Sequence, residues 1–483
     1  MPPHAPAPGH DDIYPLFMLD DSKTLRSIIV TWTLRFNDVL SPDLLHTSLT
    51  HLLTIGDWRK LSGRLRLNTT TGALELHVPS AFTPEHPAVS YSHTEIPCAI
   101  ADHPLGSTLP APTPTASLQR GAHEFREFEA RADAPKTLED YLNSDAPQLA
   151  LHITSFDDAT LVALTWPHTL MDVMGQQALL RAWSLVLAGR EGDVPALLGA
   201  REDVLLSLPD PKDEDDDHDD QQQQLQQRKR LQGFGMFMFG LRFLSGLLWN
   251  RVVESRTIFL PKAAVANLRA QAQEDLNGEF ISEGDVLTAW ATRAVASSTA
   301  PRPVTVLHAL NLRFRLPSLI HAAGVHVQNL TAPAFAFFTP EMLRGPLGPI
   351  ALENRRHLVA QTREKEVRAL LGEMRSEYTP GCDTTVLCGE SDALLMPFTN
   401  WGRADIYRAA DFAPAVVRAG EVGEGRLNPS GSMVYQHANS MHTSTTMRNV
   451  VVVYGRDHGD NYWLSGFLLP EAWRKIEEEI GRL

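Results

Sequence analysis

The feature that most constrains the fold of this chain is a strand–turn–strand–helix succession in its first half. Residues 149–156 and 160–166 are two apolar runs of strand length, and the pair Asp157-Asp158 between them is typical of a turn. Pro167 lacks a backbone N–H and favours an extended residue before it, so the second strand ends there. From Leu179 onward apolar residues recur at helical spacing. The sequence therefore predicts a β-hairpin that runs into a helix.

A histidine and an aspartate lie at the corner between the hairpin and the helix. His168 follows Pro167 directly, and Asp172 stands four residues later. A side chain at such a corner can point into a cleft while the scaffold holds its backbone still, which is what a general base requires. An HxxxD pair alone occurs in many chains, and a lone histidine is more often a structural residue. The interpretation therefore depends on what else the sequence contains.

Elsewhere in the chain, helical and strand patterns alternate without a regular repeat. Ser282 is placed as the N-cap of one of the helices. The alternation is typical of the α/β class. Helices are predicted over residues 42–53, 262–272, 284–296 and 470–480, and strands over residues 74–78, 304–312 and 449–454.

Further motifs follow one another in the order and spacing of a known family. They are the stretch 58–65 with Gly63-Arg64, the stretch 281–290 that begins Ile281-Ser282, the stretch 311–316 with Arg313 and Arg315, the triplet Thr399-Asn400-Trp401, and the pair Asp411-Phe412. Together with HxxxD they resemble the BAHD acyltransferases, above all the fungal branch that is similar to trichothecene 3-O-acetyltransferase. The resemblance runs from about Tyr14 to the C-terminus. The chain departs from the family pattern at Val173, where glycine is common, and after Phe412, where Ala413-Pro414 replaces the rest of a DFGWG element.

The resemblance implies a fold of mixed sheets in two chloramphenicol-acetyltransferase-like domains, with an active-site channel between them and HxxxD at its centre. A segment of the second half, for which residues 382–411 are the candidate, is expected to cross back to the first domain. Asp172 is expected to face away from the substrate and to pair with Arg313, with Arg315 as the second choice. Asp411 and Phe412 are expected to be structural, and the protein is expected to be a monomer.

The resemblance also implies a CoA-dependent O-acyltransferase that acts on a hydroxyl of a small-molecule secondary metabolite. His168 would be the general base, in a ternary complex without an acyl-enzyme. Thr399, Asn400 and Trp401 would face the channel and supply donors to the oxyanion. Acyl-CoA, acetyl-CoA in the first instance, would be a co-substrate, and no bound cofactor is implied. Two alternatives stay open: an enzyme of the same fold that condenses or cyclises without CoA, and a non-catalytic protein that binds small molecules.

Other catalytic and binding machinery is missing from the sequence. There is no GxSxG nucleophile elbow, no P-loop, no GxGxxG after a predicted strand and no metal-type spacing of histidines or cysteines. The formal net charge of −15 argues against nucleic-acid binding, which needs a basic face. We therefore expect no metal and no nucleic-acid partner.

Length, acidic patterning and cysteine usage bear on domains and location. The 483 residues predict two domains. The acidic run at 213–220 and the glutamines after it cannot bury enough apolar surface to order themselves, so a linker is predicted there. Three cysteines, Cys98, Cys382 and Cys388, fit a reducing compartment, and the first ten residues do not read as a signal peptide, so a cytoplasmic location is expected. The predicted division is 1–208, a linker at 209–232, and 233–483.

The strongly apolar stretch 233–249 allows three interpretations. Its 17 residues are at the lower limit for a membrane span, and Arg242 stands at its centre. An interfacial helix or a lid over an apolar substrate is the second interpretation. A plain packed helix after the linker is favoured, with weak membrane-surface contact as the alternative.

Overall fold

The computed structural model describes residues 11–206, 229–320, 323–384, 386–421, 423, 425–442 and 446–483. Its strands β1 to β17 are, in chain order, Asp12–Pro15, Ile29–Phe36, Asp38–Leu40, Arg64–Leu67, Leu74–Val78, Ser90–Glu95, Ser117–Arg120, Ala150–Ser155, Thr160–Pro167, Glu254–Leu260, Val304–Asn311, Thr331–Phe338, Leu394–Asn400, Val416–Ala419, Met433–Ser440, Val450–Arg456 and Tyr462–Leu468. Its helices α1 to α12 are Lys23–Arg26, Pro42–Leu52, Leu138–Leu142, Val173–Leu187, Gly233–Trp249, Lys262–Glu274, Glu283–Ala296, Pro317–Ile320, Pro340–Leu343, Leu347–Gln361, Glu364–Glu377 and Pro470–Ile480. The helices and strands predicted from periodicity are present, with bounds within two residues of those expected.

Two large mixed sheets organise the described residues. The first is five-stranded in the order β15-β2-β9-β8-β6, and the second is seven-stranded in the order β12-β11-β13-β16-β17-β10-β7. Parallel pairs (β6 with β8, β11 with β13, β13 with β16) stand beside antiparallel ones in both sheets. The predicted hairpin is the antiparallel pair β8–β9 in the first sheet. The predicted α/β class with mixed sheets is thereby confirmed.

The two halves of the chain exchange strands. β15, from the second half, pairs with β2 at one edge of the first sheet, and β7, from the first half, pairs with β10 at one edge of the second. The expected crossing segment, residues 382–411, is wrong for β13, because this strand lies inside the seven-stranded sheet and buries Met396 and Phe398 in its core, and it holds for the residues after β13. The chain joins the first core only after β13, through residues such as Tyr407, Phe412 and Tyr435. Most of the predicted linker, residues 209–228, lies outside the described residues, as do the first ten residues.

Helices cover one face of each large sheet. α2 and α4 pack on the first sheet, where Leu45 and Leu49 of α2 and Trp183 of α4 are fully buried in one core with Trp32 of β2. The second sheet is covered by α6, α7, α10 and α12, and Trp290 and Trp473 are buried in that core. This arrangement leaves the C-terminal end of β9 and the start of α4 as a fixed corner next to the second half of the chain.

The apolar stretch 233–249 forms helix α5, but it is not the buried helix that we favoured. None of its residues is buried. Its outward-facing apolar residues recur at spacings of three and four, so one continuous stripe faces away from the protein. The members of this stripe are Phe234, Phe237, Leu241, Leu244 and Leu248, between 46% and 78% exposed, and Trp249 at its end is 84% exposed. Among the described residues, no helix is both long and apolar enough to span a membrane.

Candidate active site

The loop that carries His168 is fastened to two neighbouring segments and to itself. The backbone N–H of His168 donates to the Ile28 carbonyl at 2.9 Å. Its carbonyl oxygen accepts from the Asn329 side-chain amide, also at 2.9 Å. Two residues before His168, the Trp166 indole N–H donates to the Met171 carbonyl at 3.3 Å, which closes the loop on itself. The backbone of His168 is therefore held still from both sides.

The imidazole of His168 is partly exposed at this corner. Its Nδ1 atom is buried and has no hydrogen-bond partner among the described residues. Burial lowers the pKa of His168 below its ordinary value, while its own backbone, the charge of Asp172 and the Asn329 amide oppose that effect in part. The lowered pKa keeps the ring neutral at neutral pH, which is the state that a general base needs.

Asp172 is turned away from the imidazole and uses both oxygens for structure. Oδ1 accepts from the backbone N–H groups of Met174 and Gly175, both at 3.0 Å, and so caps the N-terminus of α4. Oδ2 accepts from Arg313 Nη1 at 2.8 Å and from the Leu330 N–H at 3.1 Å. No oxygen is left over to orient His168 as in a Ser-His-Asp arrangement.

Arg313 joins this aspartate to a second loop. Besides Asp172, its guanidinium donates to the carbonyls of His326 and Gln328, with Nη2 at 2.9 and 2.7 Å respectively. The side chains of Arg313 and Asp172 are only 10% and 6% exposed, so the ion pair is shielded from water. The pair therefore locks the start of α4 to the strand-and-turn region that follows β11. Arg315, the second choice for this contact, does not make it.

Three polar residues, Asn329, Asp20 and Lys60, support the His168 loop. No pattern in the sequence identified any of them. The Asn329 amide that holds the His168 carbonyl also donates to Asp20 Oδ1 at 2.9 Å, and the Asn329 backbone N–H donates to the same atom at 2.8 Å. Asp20 is buried, which raises its pKa to about 6, although the charge of Lys60 and the Asn329 hydrogen bonds lower it. Lys60 is itself buried, and burial lowers its pKa. No local signal marked these residues, since Lys60 directly follows another cation, Arg59, between Trp58 and Leu61.

The triplet Thr399-Asn400-Trp401 lies beside the strand that leads to His168. The Trp401 ring is 5.2 Å from Trp32, and Trp32 is 6.2 Å from Trp166. In the part of the chain that is described, the side chains of Thr399 and Trp401 donate no hydrogen bond to protein, and both residues are partly exposed. Asn400 instead accepts from the Gly402 N–H at 2.8 Å and shapes the turn. Thr399 and Trp401 thus keep free donors, and the Trp401 ring lies against Trp32 of β2, the strand that pairs with β9.

The pair Asp411-Phe412 lies in the packing of the first core rather than at the corner. Phe412 is fully buried, with its ring 5.3 Å from Phe36 and 4.6 Å from Trp183. Asp411 is exposed; its backbone N–H donates to Ser184 Oγ at 2.9 Å, and its carboxylate accepts from the Ala413 N–H at 3.2 Å. The two residues anchor the crossing segment on α4.

A cavity of about 770 Å³ lies over the polar face of the first sheet. Thr165 of β9, His152 of β8 and Tyr91 of β6 form its floor, and Glu129 lies on its other side. Its size falls within the usual range for a small-molecule site, roughly 300–1,000 Å³. Thr165 is three residues before His168 along an extended strand, a distance of roughly 10 Å.

Several relatives, two of which follow, match this chain over almost its full length. An O-acetyltransferase, PaAT-2 of Phomopsis amygdali, is 36% identical over 98% of this chain and 98% of its own. The acetyltransferase pyiB of Pyricularia grisea is 35% identical over 97% of this chain and 93% of its own. No family model matches the chain.

Solved structures with the same fold are more distant in sequence. TRI101 of F. sporotrichioides, in complex with coenzyme A and T-2, superimposes with a TM-score of 0.64 at 14% identity, over 98% of each chain. Vinorine synthase superimposes with a TM-score of 0.58 at 16% identity, over 99% of this chain and 95% of its own. At such identities the likeness establishes the shared fold.

Proposed function

The chain belongs to the BAHD acyltransferases, as an acyl-CoA-dependent enzyme of the fungal acetyltransferase branch, and we propose that it transfers an acetyl or other short acyl group to a hydroxyl of a small natural product. The observation that carries this proposal is the neutral, partly exposed imidazole of His168 on an immobilised loop. Hydroxyl rather than amine acylation is supported by the description of the PaAT-2 relative as an O-acetyltransferase.

In the proposed reaction, His168 removes the proton of the acceptor hydroxyl as its oxygen attacks the thioester carbonyl. The oxyanion of the tetrahedral intermediate receives hydrogen bonds from the free donors of Trp401 and Thr399, an arrangement worth about 3–4 kcal/mol per well-aimed donor. When the carbon–sulfur bond breaks, the imidazolium returns its proton to the departing thiolate, which leaves as CoA-SH. Asp172 holds the loop through α4 and Arg313 and does not take up a proton. Acceptor and donor are bound together, with no acyl group on the protein.

The cavity over the first sheet is the proposed acceptor site. Its floor residue Thr165 belongs to β9, the strand that leads to the His168 loop, and lies roughly 10 Å from His168 along the chain. His152 in the floor has its Nδ1 2.8 Å from Ser92 Oγ, and burial lowers its pKa to about 4, so it is neutral. The floor offers hydroxyl and imidazole groups to an oxygenated molecule, and Arg131, Asp133, Lys136 and Asp140 line other parts of the cavity.

The test is acceptor-dependent release of free thiol from acetyl-CoA with a panel of hydroxylated terpenoids, polyketides and alkaloids. His168→Ala is expected to lose about two to four orders of magnitude in turnover while its circular dichroism and unfolding midpoint are kept. His51→Ala, an exposed histidine on α2, is the control and should retain full activity. Thiol release that survives in His168→Ala contradicts the assignment of the base.

We further propose that the exposed face of α5 rests on a lipid surface. From Gln232 to Val253 the charged residues are Arg242 and Arg251, both cationic, so an anionic membrane surface is complementary. Trp249, at the end of the stripe, suits the interface between lipid and water. Two helices that pair along apolar stripes usually carry charged residues on both sides of each stripe, and α5 lacks such flanking charges. A lipid surface therefore fits this face better than a second copy of the chain does.

Flotation with phosphatidylglycerol and with phosphatidylcholine vesicles tests this contact. Phe237→Glu with Leu244→Glu should abolish binding to the anionic vesicles, whereas Val417→Glu, at a 69% exposed apolar residue on β14, should not. Failure of the parent protein to float, or a dimer in sedimentation that the double variant dissociates, contradicts the lipid assignment.

A further inference from the structure

Two arginines beside the His168 loop bring their positive charges close together. Arg315 follows the 3₁₀ turn Leu312–Phe314 and stands two residues after Arg313. Arg403 lies in the 3₁₀ turn Gly402–Ala404, two residues after Trp401. The Arg403 guanidinium is 4.7 Å from the centre of the Phe314 ring, the neighbour of Arg315 in sequence. The two cations therefore share one small region of the surface.

No carboxylate neutralises this pair within the described residues. Neither side chain forms an ion pair or a hydrogen bond there, and the Nε atom of half-buried Arg315 has no hydrogen-bond partner although it is buried. Burial, and then the charge of Arg403, lowers the pKa of Arg315. Asp405, the acidic residue next in sequence to Arg403, is bound by Arg408 at 3.0 Å instead. Two guanidinium groups held together without a counter-charge form an arrangement that a bound anion stabilises.

Both arginine turns are attached to the helix that starts at the catalytic loop. Arg313 ties the first turn to Asp172, the cap of α4, at 2.8 Å. The Gln177 side-chain amide of α4 donates to the Ala404 carbonyl of the second turn at 2.7 Å. The pair is therefore fixed relative to His168, as a binding site for one end of a substrate must be when the other end reacts there.

We propose that Arg315 and Arg403 together bind a phosphate group of the acyl-CoA donor, an inference that rests on the proposed function. Guanidinium groups present paired N–H donors that match phosphate oxygens, and a half-buried site strengthens each contact. CoA carries phosphate in two places, the 3′-phosphate of its ribose and its diphosphate bridge, and the chemistry of the site is common to both. The pantetheine arm lies between these groups and the thioester that reacts at His168.

Kinetics with three donors tests the proposal. Acetyl-CoA has both kinds of phosphate, acetyl-dephospho-CoA lacks the 3′-phosphate, and S-acetyl-pantetheine lacks all phosphate. Arg315→Gln and Arg403→Gln are each expected to raise KM for acetyl-CoA about tenfold, and to leave kcat/KM for S-acetyl-pantetheine unchanged. Arg181→Gln, at an exposed arginine on α4, is the control and should behave as the parent does with every donor.

The same series identifies the phosphate. If the pair binds the 3′-phosphate, its effect on KM disappears with acetyl-dephospho-CoA; if it binds the diphosphate, the effect remains. The double variant combines Arg315→Gln with Arg403→Gln. An unchanged KM for acetyl-CoA in this variant, or an equal fall in kcat/KM with all three donors, overturns the proposal. Calorimetric titration of CoA into the protein without acceptor separates this inference from the proposed function. Weaker CoA binding by the double variant supports the phosphate site even where no transfer is detected.

Discussion

At the scale of single residues, the lowered pKa of His168 determines how activity should respond to acid. The base must be unprotonated, and burial moves its protonation to a pH below the ordinary histidine range. We expect kcat/KM to stay level from pH 7.5 down through pH 6.5, and to fall only in more acidic solution. A pH–rate profile for the parent and for Glu129→Gln, which removes another group that titrates near neutrality, checks this. A fall centred at or above pH 6.5 in both proteins contradicts it.

Asn329 is predicted to position His168 rather than to react. Asn329→Ala removes the donor to the His168 carbonyl and one of the donors to Asp20. We expect kcat to fall about tenfold with little change in either KM, because the loop loses its fixed geometry. Asn354→Ala is the matched control, since Asn354 is a buried asparagine in the second half that binds Asp285 and His308. It should lower the free energy of unfolding by about 1–3 kcal/mol without lowering kcat; a similar fall in kcat there contradicts a specific role for Asn329.

The sequence pointed to His168 and Asp172 because local patterns identify them. A strand, a proline and a helix start are all visible within twenty residues. The supports of the loop come from elsewhere, since Asn329 meets His168 across 161 residues and Asp20 across 309 residues of chain. Contacts at such separations leave no periodic signal in one sequence. The Arg313 contact with Asp172 was expected only through the family resemblance, and the catalytic roles of all these residues stay predictions.

At the scale of elements, Asp172 connects the start of α4 with the turn after β11. Asp172→Ala removes the helix cap and leaves Arg313 with an unpaired buried charge, so we expect a loss of about 3–5 kcal/mol in the free energy of unfolding. Asp172→Asn keeps an oxygen for the cap and should lose less. Urea unfolding and kcat measured side by side check this. If Asp172→Asn keeps its stability yet loses as much turnover as His168→Ala, the aspartate acts in proton transfer and the structural role is wrong.

Periodicity gave the bounds of the elements that it predicted, but not their surroundings. The 3.6-residue pattern located α4, α6 and α12 because each has one apolar face and one polar face. In α5 nearly all residues are apolar, so the pattern could not tell which side meets the protein. A packed helix was therefore expected where the structure has an exposed stripe. Likewise, no periodic pattern predicted β15, and only the sheet pairing shows that this strand joins the other half of the chain.

At the scale of the whole molecule, the exchange of β7 and β15 couples the two cores. Each large sheet is completed by a strand from the other half of the chain, so neither sheet is complete without the other half. We expect one cooperative unfolding transition in calorimetry. Leu164→Ala, in the first core, should cost about 2–5 kcal/mol and lower hydrogen-exchange protection on β9 and on β11 equally. Unchanged protection on β11 would show that the halves unfold separately.

Glu129 makes this coupling depend on pH. It lies in the first half, is buried, and accepts from the Asn439 amide of β15 at 3.0 Å. His437 of the same strand is 4.0 Å away and neutral, because burial lowers its pKa to about 3. Burial raises the pKa of Glu129 from its ordinary 4.5 to about 7, against the opposing effects of Asn439 and Arg126. The folded protein therefore keeps a proton here that the unfolded chain has released above pH 4.5.

Because the folded state binds more protons between pH 4.5 and 7, its stability should fall as the pH rises through this window and level off above it. The difference between these two pKa values corresponds to a fall of roughly 3 kcal/mol in the free energy of unfolding. Glu129→Gln keeps an acceptor for Asn439 but cannot ionise. We therefore expect its stability relative to the parent to be higher at pH 8 than at pH 5 by about that amount. Urea unfolding at the two pH values measures this, with Glu127→Gln, at an exposed neighbour, as the control. Parallel pH dependence in the parent and in Glu129→Gln would mean that the buried carboxyl group does not carry the effect.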